Sequence, residues 1–339
     1  MSEIESDGRV EQFGQRVQAL RDAIGAVVVG QRRVVDEVLV CLFAGGHVLL
    51  EGAPGLGKTL LVRTLSRALD LRFSRIQFTP DLMPSDIIGT NMVVEDPNGQ
   101  KRFELSRGPI FGQLVLADEI NRATPKTQSA LLEAMGERSV TIAGIRHELE
   151  PPFFVLATEN PIEMEGTYPL PEAQLDRFLF KVLIPAPDED TLVGILDRTT
   201  GNADPDVPVV MHGPDVLALR ELVRDVAVAP PLARYVARLV RASDPETSGC
   251  AEAAKRWLRY GAGVRGAQSL ILAAKASALM QGRAHVAFED LRCVAKPALR
   301  HRLIPNFEAE ADGVSTDTIL DALLEQVSEA PPSVAALVG

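Results

Sequence analysis

A chain of 339 residues has room for about two domains at roughly 150 residues each, and its 46% hydrophobic and 24% charged side chains are ordinary globular values. With 35 basic against 46 acidic side chains the formal charge is −11, which excludes a nucleic-acid surface spread over the whole molecule while leaving room for a local basic pore. The opening Met1 to Gly8 lacks the apolar core of a secretory signal, and the longest apolar run, Val38 to Leu50, is too short for a bilayer and is interrupted by Gly45, Gly46 and His47. A soluble, cytoplasmic protein without membrane insertion is expected. Cys41, Cys250 and Cys293 lack metal-ligand spacing and read as structural thiols.

Val34, Val35, Val38, Leu39, Leu42 and Phe43 recur at helical spacing and stop at Gly45-Gly46, so a helix feeds a first strand at His47 to Leu50. Directly afterwards, Gly52-Ala53-Pro54-Gly55-Leu56-Gly57-Lys58-Thr59 fits G-x-x-x-x-G-K-[ST]. These residue types suit a nucleoside triphosphate. Glycines let backbone N–H groups close around phosphate oxygens, Lys58 neutralises the β/γ charge, and the Thr59 hydroxyl can hold Mg²⁺. A helix beginning at Leu60 would turn its N-terminus to the phosphates, which places Leu60 among the binding residues. A chance glycine-rich turn is the competing reading; a strand before it and a helix after it weigh against that.

Further strands are predicted at Phe73 to Phe78, Gln113 to Ala117, Phe153 to Thr158 and Phe178 to Ile184, alternating with helical periodicity as in a parallel sheet covered by helices. Between Asp86 and Gly108 the turn signal Asp96-Pro97-Asn98-Gly99 predicts a β-hairpin insertion, and alternation about Gly144 predicts a second at Ser139 to Glu150. Ordinary surface loops are the alternative for both. The strand Leu114 to Ala117 ends in Asp118, suited to bind Mg²⁺ directly or through water, and Glu119, suited to orient and polarise an attacking water. Two acids on a solvated strand end would look the same in isolation. Asn160 closes the next strand, where its amide can hydrogen-bond the γ-phosphate and the attacking water; without the other motifs, a turn-forming Asn before Pro161 would be the better reading.

After Pro185-Ala186-Pro187 strand signals vanish. Helices are predicted at 188–199, 214–226, 230–241, 251–260, 266–280, 288–299 and between 315 and 327, with Ala330 to Gly339 free to fray. The expected fold is an α/β nucleotide-binding domain over residues 1–186 followed by an all-α domain over 187–339.

Together these motifs resemble an AAA+ ATPase, and the segments Phe78 to Gly89, Arg107 to Phe111, Ala117 to Ala123, Pro125 to Met135 and Glu165 to Phe178 narrow the resemblance to the MoxR family. It is strong from about Val27 to Val182 and looser through the helical half. The resemblance implies a P-loop sheet sandwiched by helices, two hairpin inserts facing the pore or rim of a ring, and a helical lid. It implies ATP with Mg²⁺ as ligands, an ATP hydrolase as the activity, and a homo-oligomer, a hexamer, as the assembly. By the same resemblance Arg177 matches the arginine finger supplied to a neighbour's γ-phosphate, with a salt bridge to the adjacent Asp176 as the competing reading. Arg265 matches the sensor-2 arginine that contacts its own subunit's nucleotide, although Gly263-Val264 stand where the family more often has Ser-Pro. Val29, in Val28-Val29-Gly30-Gln31, matches the apolar wall of the adenine site, and Glu159 replaces the commoner Gln beside Asn160. The family's work is chaperone-like remodelling or maturation of partner proteins, often with a von Willebrand factor A domain partner and sometimes for metal insertion. A nucleic-acid motor of the related helicase clade, using Lys101 and Arg102, is the alternative, and the acidic charge speaks against it. A nucleotide-gated module without turnover would need a defective site, and none of the hydrolysis residues is missing.

Overall fold

The computed structural model describes residues 3–95, 100–161, 166–200 and 206–329. The first element is α1 (Glu3–Gly25), a helix absent from the sequence-based expectations, along which Val10, Phe13, Val17, Leu20 and Ile24 are buried at helical spacing. Next comes α2 (Arg32–Ala44), which ends on Gly45 at φ 75°, a left-handed stop that a glycine adopts without strain. The α/β part then runs β1 (Val48–Glu51), α3 (Lys58–Ala68), β2 (Phe73–Gln77), α4 (Pro84–Ile88), β3 (Gly89–Glu95), β4 (Lys101–Arg107), β5 (Leu114–Asp118), α5 (Pro125–Glu137), β6 (Ser139–Ile142), β7 (Ile145–Glu148), β8 (Phe154–Glu159), α6 (Glu172–Leu175) and β9 (Phe180–Leu183).

The five predicted strands form one parallel sheet in the order β2-β5-β8-β1-β9. Side chains alternate between its two faces. Val48, Leu50, Leu114, Leu116, Phe154, Leu156, Phe180 and Val182 join the apolar cluster that includes α1, α2 and α3. Leu49, Val115, Ala117, Val155 and Ala157 join the opposite cluster, which includes α5. Burial on both faces is why the inner strands β1, β5 and β8 read as apolar runs, whereas the edge strand β2 mixes polar with apolar residues.

Both hairpins are present. β3 and β4 pair antiparallel from Gly89↔Arg107 to Glu95↔Lys101, and the predicted turn Asp96 to Gly99 lies outside the described residues. Their base is pinched between two glycines. A Cβ on Gly89, which has φ +93°, would lie 2.2 Å from the Ser106 carbonyl oxygen, and one on Gly108 would lie 2.2 Å from that of Ile87. β6 and β7 close through Ala143 and Gly144, both at positive φ as a tight hairpin requires.

The second half comprises α7 (Glu189–Thr199), α8 (Gly213–Asp225), α9 (Pro230–Ala242), α10 (Glu252–Trp257), β10 (Leu258–Tyr260), α11 (Val264–Met280), α12 (Phe288–Leu299), β11 (Ile304–Pro305), α13 (Phe307–Ala311) and α14 (Thr316–Gln326). One expectation is corrected. The predicted helix over 251–260 stops at Trp257, and the next three residues pair antiparallel with β11, so strand structure does not vanish from this half. Strands of two and three residues are too short to show alternation, and their pairing joins segments far apart in sequence. Helices α8, α9, α11 and α12 share the apolar cluster of α1 and α2, so the helical half lies against one face of the sheet. Within it Asp290 is fully buried and accepts from Arg283 at 2.6 and 2.7 Å and from the Ala287 N–H at 2.8 Å. No helix among the described residues is long and apolar enough to cross a membrane. The predicted frayed tail, Ala330 to Gly339, lies outside those residues.

Candidate active site

The loop after β1 has the geometry its glycines predict. Gly55 and Gly57 sit at φ 83° and 77°, and Gly57 starts α3. Leu61 makes a helical hydrogen bond to the Gly57 carbonyl at 2.9 Å, so the N–H groups of Lys58, Thr59 and Leu60 precede the helical ladder and face the loop. The Leu60 side chain itself is 42% exposed, which leaves its backbone as the part suited to phosphate. Lys58 curls back, its Nζ donating to the Gly52 carbonyl at 2.7 Å and the Glu159 carbonyl at 3.4 Å. Burial lowers its pKa, against the opposing pull of Asp118, Glu119 and Glu51. Ala53 and Pro54 lead the loop outward, while Gly52 packs so closely on Ile184 that a Cβ would lie 3.0 Å from that side chain. Gln31 donates from Nε2 to the Leu56 carbonyl at 2.8 Å and so anchors the loop from the segment before α2. Its neighbour Val29 packs toward α7, where a Cβ on Gly194 would lie 3.3 Å from Val29 Cγ1.

At the end of β5, one hydroxyl organises both acids. Thr158 Oγ1 donates to Asp118 Oδ1 at 2.7 Å and accepts the Glu119 N–H at 2.8 Å, and it is fully buried on β8 beside them. Asp118 Oδ2 is held by Arg75 at 2.6 Å. Glu119 adopts φ 55°, an uncommon conformation for a non-glycine residue, and its Oε2 accepts from Arg122 at 2.9 Å and Gln77 at 3.2 Å. Arg75 and Gln77 are two residues apart on β2, hence on one face, and Arg75 also donates to Gln77 at 2.6 Å. Asn160, buried, follows β8 at the same carboxyl edge of the sheet. Beside it burial raises the Glu159 pKa, opposed by Lys181, which is itself paired with Glu51 at 2.6 Å.

Thr59 and Asp118 offer a hydroxyl and a carboxylate, hard oxygen donors of the kind Mg²⁺ takes alongside phosphate and water. The donor set fits that ion. No cluster of three or more His, Cys, Asp or Glu side chains with metal-site geometry occurs among the described residues.

Arg177 and Arg265 lie elsewhere. β9 runs parallel to β1 in the register Val48↔Phe180, and Arg177 precedes β9, so it stands at the amino edge of the sheet while the phosphate loop leaves the carboxyl edge. Four residues at about 3.3 Å each put roughly 13 Å of sheet between those edges. Arg265, on the first turn of α11, lines the same cleft as Arg177, together with Gly46, Met135 and Arg302. Arg265, expected to contact its own subunit's nucleotide, thus stands at the amino edge beside Arg177, where the start of α11 meets the sheet. The Arg177–Asp176 salt bridge is not formed either. Asp176 pairs with Arg302 at 2.7 Å and Arg265 at 3.5 Å, while Arg177 is exposed and donates to the Leu132 carbonyl at 2.9 Å.

Sequence reasoning missed Thr158, Arg75, Gln77, Arg122 and Arg302 as site residues. Arg75 and Gln77 carried one available signal, a polar pair alternating with Ile76 on a strand beside the acids.

A parallel sheet with this strand order, a phosphate loop after β1, paired acids at the end of β5 and a helical lid defines an AAA+ ATPase. Residues 47–180 match the ATPase family associated with various cellular activities (AAA), and residues 250–323 match the AAA lid domain. The chain is 43% identical to the chaperone MoxR1 of Mycobacterium tuberculosis over 95% of its length and 85% of that protein's, and 33% identical to the protein MoxR of Paracoccus denitrificans over 93% and 97%. A crystal structure of a candidate ATPase from Cytophaga hutchinsonii superposes with a TM-score of 0.88 at 42% identity, covering 96% of this chain and 98% of that one. The chain belongs to the MoxR family of AAA+ ATPases.

Proposed function

We propose that this protein hydrolyses ATP at sites shared between neighbouring copies of itself in a ring, a homo-hexamer, and that the cycle remodels or matures partner proteins. The observation that carries the reading is the placement of the two halves of the machinery on opposite edges of one sheet. A subunit with its phosphate loop at one edge and Arg177 at the other completes a site only head to tail with a neighbour. The loop from Gly52 to Leu60 binds the triphosphate, Glu119 orients the water, Asn160 holds the γ-phosphate, and Arg177 stabilises the transition state in the next subunit. Arg265, beside Arg177, acts on that same neighbouring nucleotide. Thr59 and Asp118 would hold Mg²⁺, which supplies charge neutralisation at the phosphate oxygens when bound. Val29, against α7, supplies the apolar wall for the base.

The division at residue 186 separates a nucleotide-binding domain from a lid whose movement follows nucleotide binding. The two hairpins are the parts that touch the client, a reading supported by Phe103 at 78% exposure and Ile145 at 59%. A relative named as a chaperone supports a protein client, and the family resemblance adds a cytoplasmic setting and a von Willebrand factor A domain partner, with metal insertion as one form of maturation. No nucleic acid is required.

The test is subunit mixing. Lys58→Ala subunits and Arg177→Ala subunits, each inactive alone, should recover part of the phosphate release when mixed, because each supplies the half-site the other lacks. No recovery at any ratio rules out shared sites.

A further inference from the structure

Arg177 leaves the chain from a segment that the lid holds from behind. Arg302, just after α12, is 4% exposed in its side chain and makes five hydrogen bonds. Its Nε donates to Asp176 Oδ1 at 2.7 Å, Nη2 to the carbonyls of Asp176 at 3.2 Å and Phe178 at 2.7 Å, and Nη1 to that of Leu179 at 3.2 Å and to Ala298. Four of the five acceptors are therefore on residues 176–179, on both sides of Arg177. His301 adds a bond from Nε2 to the Phe178 carbonyl at 3.1 Å, and Arg300 reaches the Lys181 carbonyl at 3.1 Å while gripping Asp317. The start of α11 leans on the same side chain: a Cβ on Gly266 would lie 3.3 Å from Arg302 Cδ.

We propose that Arg302 is a positioning residue for hydrolysis in the adjacent subunit, fixing the direction in which Arg177 leaves the chain and tying it to the lid. The inference rests on the reading of Arg177 as the finger. An arginine that must meet a transferring phosphoryl group works only from a defined geometry, and its own side chain is long and exposed. Its backbone is where rigidity can be supplied, and a planar guanidinium with five donors is the side chain able to hold several carbonyls and a carboxylate at once. Because Asp176 binds Arg302 through one oxygen and Arg265 through the other, a lid movement shifts both trans-acting arginines together.

Arg302→Lys keeps the buried charge and loses the fork. The assembled variant should lose kcat on the order of 10²-fold, with its Kd for Mg-ATP unchanged, and co-assembly with Lys58→Ala subunits should restore part of the turnover. Arg177→Ala/Arg302→Lys should be no slower than Arg177→Ala, as expected of residues acting through one group. Asp176→Asn, which weakens the same clamp without burying a new group, should show the same split between kcat and Kd. Wild-type kcat in both Arg302→Lys and Asp176→Asn, with Arg177→Ala inactive, overturns the inference and leaves the finger reading standing. A loss that Lys58→Ala subunits do not restore, in protein that still binds nucleotide, overturns it too. Full turnover by Arg177→Ala sinks the finger reading and this inference with it.

Discussion

The two edges of the sheet are built in contrasting ways. At the carboxyl edge, the functional groups are supported by neighbouring strands: Thr158 joins Asp118 and Glu119, and Arg75 and Gln77 reach them from β2. At the amino edge, support for Arg177 comes from the lid, across more than a hundred residues of sequence, through Arg302 and Asp176. The edge that carries the phosphate loop is thus braced by the sheet itself, whereas the edge that carries Arg177 is braced by a separate layer of helices. Under the shared-site function proposed above, that division would hold the nucleotide on the sheet and leave the placement of Arg177 to the lid.

The largest expected effect separates the edges by their rescue. Glu119→Gln should bind Mg-ATP normally by calorimetry and lose turnover on the order of 10²–10⁴-fold. Unlike Arg177→Ala, it should not be rescued by Lys58→Ala subunits, because Glu119 and Lys58 belong to one half-site; rescue would break the comparison. Next is the lid as a rigid layer. Arg283→Met strips the partner from fully buried Asp290 and should cost about 3–5 kcal/mol in urea unfolding; a loss below about 1 kcal/mol, the size of an exposed pair, would mean that this layer does not depend on its internal charges.

A smaller effect tests the carboxyl edge. Thr158→Val keeps the volume but leaves the Glu119 N–H and Asp118 Oδ1 without their shared hydroxyl, which should cost about 1–3 kcal/mol of stability, with a fall in kcat and no rescue on mixing. The smallest concerns acid. His47 is fully buried, its Nδ1 accepting the Val155 N–H at 3.0 Å, and burial lowers its pKa from 6.5 to about 3. His301 is displaced in the same direction, mainly by burial and next by Arg302. Below pH 6.5 the unfolded chain takes up protons that these folded rings refuse, so their stabilisation is present above that pH and is lost as pH falls toward 3. For His47 alone the loss reaches about 2 kcal/mol at pH 5. Urea midpoints of wild type and His47→Gln across that range check it; parallel curves would reject the assignment.

How much of this could be read from the sequence follows the same contrast. The phosphate loop, Asp118, Glu119 and the five strands were legible because each is a local pattern: a run of apolar residues, a fixed spacing, two acids in succession. Thr158 was hidden because a hydroxyl ending an apolar run has no pattern of its own; its role depends on β5 lying beside β8. The position of Arg265 beside Arg177 was hidden for the same reason in larger form, since the docking of the lid is a tertiary fact that no helical periodicity encodes. The missed α1 is different: Val10, Phe13, Val17, Leu20 and Ile24 spell the helix, but Gly8 and Gly14, both poor helix formers, weaken the signal.

The glycine pinch at the base of β3 and β4 carries a mechanical consequence. With Gly89 and Gly108 seated against opposing carbonyls, the hairpin has a narrow root, and its seven-residue strands project about 23 Å beyond it at about 3.3 Å per residue. Such an arm behaves as a lever. A rotation of about 10° at the root would carry its tip through roughly 4 Å, so under the client-contacting role proposed above a small rearrangement at the root would become a stroke long enough to tug on a bound chain.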